Sequence, residues 1–479
     1  MLWLLIVLVA SVQADFGWDD WTALDDYVHR DDGAWSYFQI EEYRYNATNC
    51  TTYIFNMTSQ IYQDETKVDK SLWWHWVGVS IPDDLEYPDF AAMLIDGGSN
   101  REGSEPGGED ALENVGTCVV ANAAKTIVGY VKQVPNQPIV FAVSIIITRI
   151  YQNHNWNIRQ NDPTQRSRSE DTLIAWTWRT YIDQLIAEDP EADPEVVMRM
   201  AMTKSAKRGM DTIAAVAEEK VGSNVDSFFV TGASKTIMSH YQSMDGGYSF
   251  ALSPYYNENL TYHLLDEELF TPVLEIEDMF QYRRRFEDLP LLQIVATGDE
   301  FFLCTDSHHW MNQNAEHALI PAYVRIAETI VGFLAGHLQG WEMPTTSWEM
   351  SEEDGLSRLV MTTSPPALNV TGWKSVTNAN NTRRDWRLVE GYPEQSLHPV
   401  WWYRDIDVEE EVDEDTGVYT AEITADENED LWTGYFIQGQ WEGPTGLRLF
   451  LTSEVNVVPW NTYPRGPCES NEECAGDLV

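Results

Sequence analysis

Short apolar runs alternate with longer segments of helical periodicity through the middle of the chain. Continuous apolar runs of this kind are typical of strands that are buried on both faces of a sheet. They lie at 90–96, 137–147 and 291–298. The segments with helical spacing lie at 113–133, 169–189 and 319–338. Asp193 followed by Pro194 predicts the start of a further helix that ends near Lys220. This alternation predicts an α/β fold with a mostly parallel sheet and flanking helices.

The two ends of the chain have a different pattern. YIFNMTSQIY and SLWWHWVGVSIP, near the start, are rich in aromatic and β-branched residues and predict strands of a meander. Beyond Trp348 the helical periodicity disappears, and short apolar segments recur between turn signals, which predicts an antiparallel β-sandwich. We therefore expect an α/β domain over 15–345, a β-sandwich domain over 346–462 and a tail over 463–479.

The charge of the chain excludes some classes of partner. Among 479 residues, 30 are Lys or Arg and 77 are Asp or Glu, which gives a formal net charge of -47. Such a surface repels phosphate backbones and anionic lipids, so we expect no nucleic-acid partner. The hydrophobic fraction of 43% is that of a globular protein rather than of an acidic disordered chain.

The first 14 residues have the pattern of a secretory signal peptide. An apolar run from Leu2 to Val9 is followed by Val12, Gln13 and Ala14, a small-x-small pattern that suits signal peptidase. The run is too short to span a bilayer. We predict cleavage before Asp15, a secreted protein and no membrane span after cleavage; the alternatives are a buried N-terminal strand or a retained anchor.

Glycosylation sequons and cysteines agree with export. The N-x-S/T sequons are at Asn46, Asn49, Asn56, Asn259, Asn369 and Asn380. Of five cysteines, Cys468 and Cys474 are the expected disulfide, because they would close a small loop in an otherwise structureless tail. The pairing of Cys50, Cys118 and Cys304 stays open.

Three residues follow predicted strands in the order that defines a hydrolase triad. Ser234 follows the strand VDSFFV in a glycine turn, Asp299 follows LLQIVATG, and His317 lies in NAEHAL before an amphipathic helix. A serine hydroxyl becomes nucleophilic when a histidine takes its proton, and the carboxylate orients that histidine. The order predicts Ser234 as nucleophile, His317 as base and Asp299 as the orienting acid.

An oxyanion hole is predicted from a second glycine turn. Gly97 and Gly98 end an early strand, and their amides, with that of Lys235, could bind negative charge. No cofactor or metal is expected. His308 and His309 beside Asp306 do not indicate a metal site, because adjacent histidines project in different directions.

These segments carry a family resemblance. LIDGGSN, FFVTGASK, GDEFFL and NAEHAL, with the two aromatic strands near the start, resemble the PhoPQ-activated pathogenicity-related proteins, which include secreted autocrine proliferation repressors. The resemblance implies an α/β-hydrolase-like domain with a C-terminal β-sandwich, and it maps Ser234, Asp299 and His317 onto nucleophile, acid and base. Ser234 lies in G-A-S-K and lacks the second glycine of G-x-S-x-G, as in the family.

Compared with the family, the chain lacks two segments, near residues 235 and 313. The elbow helix and a strand should follow Lys235, and an apolar strand should precede His317. Either the transcript or gene prediction is incomplete, or the line has lost catalysis and kept the scaffold. With these gaps we expect a compromised triad in which His317 is displaced and at least one contact exceeds hydrogen-bonding distance.

Two functions agree with these observations. The first is a serine hydrolase of ester or amide bonds, with a small-molecule or peptide substrate. The second is a non-catalytic secreted ligand that acts on a cell-surface receptor, as the resemblance to proliferation repressors implies.

Overall fold

The computed structural model divides the chain into two compact units. The first unit comprises Leu8–Thr231 and Pro254–Pro290, and the second comprises Met1–Val7, Gly232–Ser253 and Leu291–Val479. The structure describes residues 5–11, 21–142, 164–232, 240–286, 288–305, 309–319, 322–378, 380, 382–426 and 430–479; for 5–11, Gly232 and Phe280 it describes the backbone alone. The chain passes from one unit to the other after residues 7, 231, 253 and 290. The predicted domain boundary near residue 345 stays a prediction.

The described helices and strands are numbered in chain order. The α-helices are α1 (Ala23–His29), α2 (Leu112–Ala124), α3 (Asp171–Ile186), α4 (Met198–Val221), α5 (His240–Ser243), α6 (Ser253–Asn257), α7 (Glu267–Glu277), α8 (Tyr323–Leu338) and α9 (Asn471–Ala475). The strands are β1 (Leu5–Ser11), β2 (Ser36–Tyr45), β3 (Cys50–Ile61), β4 (Leu72–Pro82), β5 (Tyr87–Ile95), β6 (Thr126–Val131), β7 (Ser227–Gly232), β8 (Gly247–Tyr248), β9 (Leu291–Ala296), β10 (Trp310–Asn312), β11 (Thr345–Glu353), β12 (Leu356–Ser364), β13 (Asn369–Val376), β14 (Val389–Glu390), β15 (Ser396–Leu397), β16 (Glu409–Val412), β17 (Gly417–Thr424), β18 (Thr433–Glu442), β19 (Arg448–Thr452), β20 (Asn456–Val458) and β21 (Asp477–Leu478).

A six-stranded mixed sheet forms the centre of the first unit. Its strand order is β7-β5-β6-β4-β3-β2. The pairs β5–β6 and β5–β7 are parallel, whereas β4–β6, β3–β4 and β2–β3 are antiparallel. The α/β class is thus correct, but the sheet is mixed rather than mostly parallel. The meander of β2, β3 and β4 accounts for the difference, because it joins the same sheet instead of forming a separate one.

Helix α4 packs on this sheet, and the burial of its apolar side chains stabilises the first unit. The Asp193 side chain accepts a hydrogen bond from the Glu195 amide at 3.0 Å and starts a short 3₁₀ turn that leads into the helix. Gly222, with φ of +69°, ends it. On the buried face, Ile213 and Val216 pack against apolar side chains of β3–β6. Each such side chain contributes about 1.5–3 kcal/mol of transfer free energy.

A disulfide joins β3 to α2 in the first unit. Cys50 and Cys118 are both buried and bonded, with their Cα atoms 5.8 Å apart. This pairing answers a question that the sequence left open. The remaining cysteine, Cys304, is buried and takes part in neither of the two disulfides.

Antiparallel sheets make up most of the second unit. One sheet has the order β11-β12-β17-β16, and the other has β13-β18-β19 with β20 also paired to β18. Buried polar side chains join the two sheets, because the Ser357 hydroxyl lies 2.9 Å from the Tyr435 hydroxyl and Asn456 Nδ2 donates to both. The C-terminal region is therefore rich in strands, as predicted.

The predicted tail is more ordered than expected. Cys468 and Cys474 form the expected disulfide. Cys474 lies in α9, and the residues after this helix form β21, which pairs in parallel with β8. The Tyr248 hydroxyl also donates a hydrogen bond to the Cys474 carbonyl at 2.6 Å. The expectation of a structureless tail is thus wrong.

Neither the signal peptide nor secretion is tested by this fold. The backbone of Leu5–Ser11 forms β1, inside the predicted signal segment. Over the part of the chain that the structure describes, none of the helices has the length and apolar character needed to cross a bilayer.

Candidate active site

The strands β9 and β10 position two of the predicted triad residues in the second unit. They pair in parallel, with Trp310 opposite Ile294 and Asn312 opposite Ala296. Asp299 follows β9 after a short turn, and His317 follows β10. Because the carboxyl ends of parallel strands lie at the same edge of a sheet, both side chains are delivered to one edge.

The Asp299 carboxylate is buried and fully engaged. It is 2% exposed, and Oδ1 accepts hydrogen bonds from the amides of Phe301 (2.7 Å) and Phe302 (3.1 Å). His317 Nδ1 lies 2.9 Å from each carboxylate oxygen. A carboxylate can only accept, so Nδ1 carries the proton and donates it. Neutral His317 then has its lone pair on Nε2, the state that a general base requires.

Backbone hydrogen bonds connect the turn after β9 to the turn after β10. The Thr297 amide donates to the Asn312 carbonyl at 3.0 Å, and the Gly298 amide donates to the Ala315 carbonyl at 3.0 Å. The Asn314 amide donates to the Thr297 hydroxyl at 2.9 Å. These three hydrogen bonds join the two turns and hold Asp299 and His317 close to each other.

This geometry corrects one expectation from the sequence. We predicted that no strand precedes His317 and that the histidine is displaced. The first prediction is wrong, because β10 supplies the strand, and His317 is not displaced from Asp299, because the two side chains are in contact. Ser234 lies outside the described residues, so the expectation that at least one triad contact exceeds hydrogen-bonding distance stays a prediction. The strand has only three residues, Trp310–Asn312, all of them buried.

Glu300 is a site residue that the sequence analysis missed. It is 5% exposed, and its Oε2 accepts a hydrogen bond from the His317 amide at 3.1 Å. Burial, opposed in part by that hydrogen bond, raises the pKa of Glu300 to about 7. Its position directly after Asp299, in GDEFF, was the feature of the sequence that could have identified it as a site residue. The side chain holds the backbone of the histidine in place.

Aromatic rings and a buried histidine complete the surroundings of His317. The Phe301 ring centroid lies 4.5 Å from that of His317, and the Phe302 ring stacks on it at 6.0 Å. His240 Nε2 donates to the Phe301 carbonyl at 3.0 Å, and burial lowers the pKa of His240 to about 4. His240 is therefore a neutral residue that fixes the Phe301 turn rather than a second base.

A cavity of about 10 Å³ adjoins Asp299 and is lined by Thr297, Arg384 and Arg387 among others. That volume accommodates about one water molecule. It is too small for a substrate. The side chain of His317, 16% exposed, is the part of the pair that a substrate can reach.

The other predicted site residues lie in different parts of the chain. Ser234 and Lys235 lie outside the described residues. Gly97 and Gly98 form a turn after β5: the Gly97 carbonyl accepts from the Gln133 amide at 3.0 Å, and Gly98 has φ of +129°, which favours glycine. The predicted glycine turn is therefore present in the first unit.

The predicted glycosylation sites differ in exposure. Asn56 lies within β3 and is half-buried. The remaining sequon asparagines are exposed: Asn46, Asn49, Asn259, Asn369 and Asn380. An exposed acceptor is compatible with a glycan, which stays a prediction at each of them.

Comparison with known proteins places the chain in a family. The family model of PhoPQ-activated pathogenicity-related protein matches residues 24–242 and 236–387. The chain therefore belongs to this family. It is similar to autocrine proliferation repressor protein A of Dictyostelium discoideum, with 27% identity over 527 aligned residues that cover 99% of this chain and 96% of the relative. A search of solved structures found no match.

The comparison also bears on the predicted missing segments. The alignment with the relative has 527 positions and the chain has 479 residues, so at least 48 positions (527 less 479) have no residue in this chain. The two segments that match the family model meet at 236–242, beside the predicted gap near residue 235.

Proposed function

We propose that this protein is a secreted serine hydrolase of ester or amide bonds. Ser234 attacks the substrate carbonyl, His317 takes the serine proton and later donates it to the leaving group, and Asp299 orients His317. The observation that carries the proposal is the contact of His317 Nδ1 with both oxygens of a buried Asp299 at 2.9 Å. It leaves Nε2 as the proton acceptor.

The strand arrangement of the first unit supports an α/β-hydrolase-like site. β5 and β7 are parallel neighbours, with Leu94 opposite Thr231, so their carboxyl ends lie side by side. Gly97 follows β5, and in the sequence Ser234 follows β7. A nucleophile after one strand and an oxyanion turn after its neighbour is the arrangement that acyl transfer needs. We assign the amides of Gly97, Gly98 and Lys235 to the oxyanion hole.

A fluorophosphonate probe tests the proposal, because it reacts with activated serines. We expect the purified protein to be labelled, and we expect Ser234→Ala and His317→Ala to abolish labelling. Ser239→Ala, which removes a neighbouring serine of the same segment, is the matched control and should be labelled like the wild type. Absence of labelling in a folded wild-type protein, or labelling of Ser234→Ala, would contradict the proposal.

The second candidate function is a non-catalytic extracellular signal acting through a receptor. The similarity to a protein named autocrine proliferation repressor supports it. The discriminating measurement is the effect of Ser234→Ala on cell proliferation. If the variant keeps an activity that the wild type has, the signalling role does not depend on hydrolysis.

A further inference from the structure

Two hydrogen-bond donors in the lining of the cavity beside Asp299 lack an acceptor. Arg384 and Trp386 both line this cavity and are 7% and 4% exposed. Arg384 Nη1 and Trp386 Nε1 are buried, and neither has a hydrogen-bond partner among the described residues. Guanidinium and indole nitrogens can only donate hydrogen bonds. The partner that suits both groups is therefore an acceptor.

The positive charge of Arg384 is not neutralised by an ion pair. Within the part of the chain that the structure describes, no carboxylate forms an ion pair with its guanidinium. The guanidinium carbon lies 4.2 Å from the centroid of the Tyr463 ring, and a ring face attracts a cation without carrying a net charge. Burial lowers the pKa of Arg384. A buried cation is costly unless a negative partner lies close to it.

The other charged side chains of the lining already have partners. Arg387 Nε lies 3.0 Å from one oxygen of the buried Asp385, and Arg387 Nη2 lies 2.7 Å from the other. Asp299 accepts hydrogen bonds from the His317 ring and from two backbone amides. Arg384 is thus the charged residue of this lining that has no partner of opposite charge.

We propose that this cavity binds a chloride ion. The ion accepts hydrogen bonds from Arg384 Nη1 and Trp386 Nε1 and neutralises the guanidinium. The Thr297 hydroxyl accepts from the Asn314 amide at 2.9 Å and keeps its own O–H as a third donor. The volume of about 10 Å³ is the space open to the centre of a water molecule, so an ion slightly larger than water also fits. A water molecule fits too, but it cannot neutralise the charge.

The position of the cavity gives the ion a structural role. The lining comes from α5 at Ser243, from the turn after β9 with Thr297 and Asp299, and from the segment of Arg384 and Trp386. The Arg384 amide donates to the Ser243 carbonyl at 3.0 Å. Because a bound chloride adds hydrogen bonds between these segments of the second unit, its effect is expected on the stability of the folded protein.

Urea unfolding at a series of chloride concentrations tests the site on the intact protein. Sodium gluconate replaces sodium chloride at constant ionic strength, because gluconate is too large for the cavity. If one ion binds the folded state alone, the folding equilibrium constant rises tenfold for each tenfold increase in chloride above the dissociation constant. We expect this dependence in the wild type and its loss in Arg384→Met.

Two further variants separate the cavity from general effects of salt. Arg358→Met, at an exposed arginine of β12 in the same unit, is the matched control and should keep the chloride dependence of the wild type. Trp386→Phe keeps an aromatic ring but loses the N–H, so it should need roughly tenfold more chloride for the same effect. The same chloride dependence in Arg384→Met as in the wild type would overturn the proposal.

Bromide supplies a second readout that does not require a variant to fold. Diffraction from wild-type crystals soaked in sodium bromide should show an anomalous peak within hydrogen-bonding distance of Arg384 Nη1 and Trp386 Nε1. No peak in the cavity, or a water molecule that links Arg384 to Asp299, contradicts the proposal. A bromide peak without chloride-dependent stability indicates an adventitious ion only and also contradicts it. Neither measurement uses a substrate, so the result is independent of the hydrolase proposal.

Discussion

Substitution of Glu300 by glutamine tests whether the buried carboxyl beside the Asp299–His317 pair controls the pH dependence of stability. Glu300 is 5% exposed, and burial raises its pKa from 4.5 to about 7. Its hydrogen bond from the His317 amide, 3.1 Å long, is one that a glutamine oxygen can also accept. Glu300→Gln therefore removes the ionisation and retains the contact.

The direction of the effect follows from proton binding. Between pH 4.5 and 7 the folded protein keeps a proton on Glu300 that the unfolded chain has lost, so the free energy of unfolding falls as the pH rises through this window. A pKa difference of this size corresponds to about 3 kcal/mol. That is a large part of the 5–15 kcal/mol that stabilises an ordinary domain. Below pH 4.5 this contribution is fully present; above pH 7 it is lost.

Urea unfolding at a series of pH values from 4 to 8 measures the difference between the two proteins. Near pH 4 we expect equal free energies of unfolding, and near pH 8 we expect Glu300→Gln to be more stable by about 3 kcal/mol. Glu410→Gln, an exposed position in β16, is the control and should follow the wild type throughout. Parallel curves for wild type and Glu300→Gln from pH 4 to 8 would refute the reasoning.

Three further predictions follow from other parts of the structure. His240 should titrate near pH 4 in an NMR experiment, and its contribution to stability, present above pH 6.5, should be lost as the pH falls towards 4; a midpoint near 6.5 would contradict this. Replacement of Cys50 and Cys118 by alanine should lower the free energy of unfolding by about 4 kcal/mol in the chain-entropy account, since the bridge spans 68 residues; a loss below about 1 kcal/mol in urea unfolding would exclude it. Asn369→Gln should lose one glycan by mass spectrometry of the secreted protein, and an unchanged mass would show that this exposed sequon is not used.

The sequence could predict Asp299 and His317 because each depends on a local signal. A buried apolar run ends just before Asp299, and an amphipathic helix begins soon after His317. It could not predict that the two meet. The intervening strand β10 has three residues, too few to show the period of two that identifies a strand.

A missed turn explains why strand β6 was not predicted. We read 113–133 as helical throughout, but α2 ends at Ala124 and 126–131 form β6. The break is Lys125, which adopts a left-handed conformation with φ of +55°. Glycine or asparagine usually marks such a position, so a lysine there gives no signal in the sequence. The strand predicted at 137–147 is absent over 137–142, and its remainder lies outside the described residues.

The approach of three side chains beside β14 and β15 could not be predicted from spacing. Asp385, Glu390 and His398 match no short metal motif, and they meet because β14 and β15 pair in antiparallel register, with Val389 opposite Leu397. Residues beside paired strands approach each other only once the register is known. The pairing of Cys50 with Cys118 was open for the same reason.

The Asp299–His317 pair is present in a chain that lacks at least 48 aligned positions (527 less 479), and the hydrogen bonds that join the turn of Asp299 directly to the turn of His317 lie within residues 297–317. Its presence therefore agrees with catalysis and equally with a retained scaffold. Asp299→Asn separates the two cases. If His317 activates Ser234, the amide stabilises the wrong imidazole tautomer, and fluorophosphonate labelling should slow by about 10⁴-fold while the protein stays folded. If the pair is only structural, the variant should change the unfolding midpoint but leave the labelling rate within about threefold of the wild type. That labelling rate would refute the catalytic assignment of Asp299.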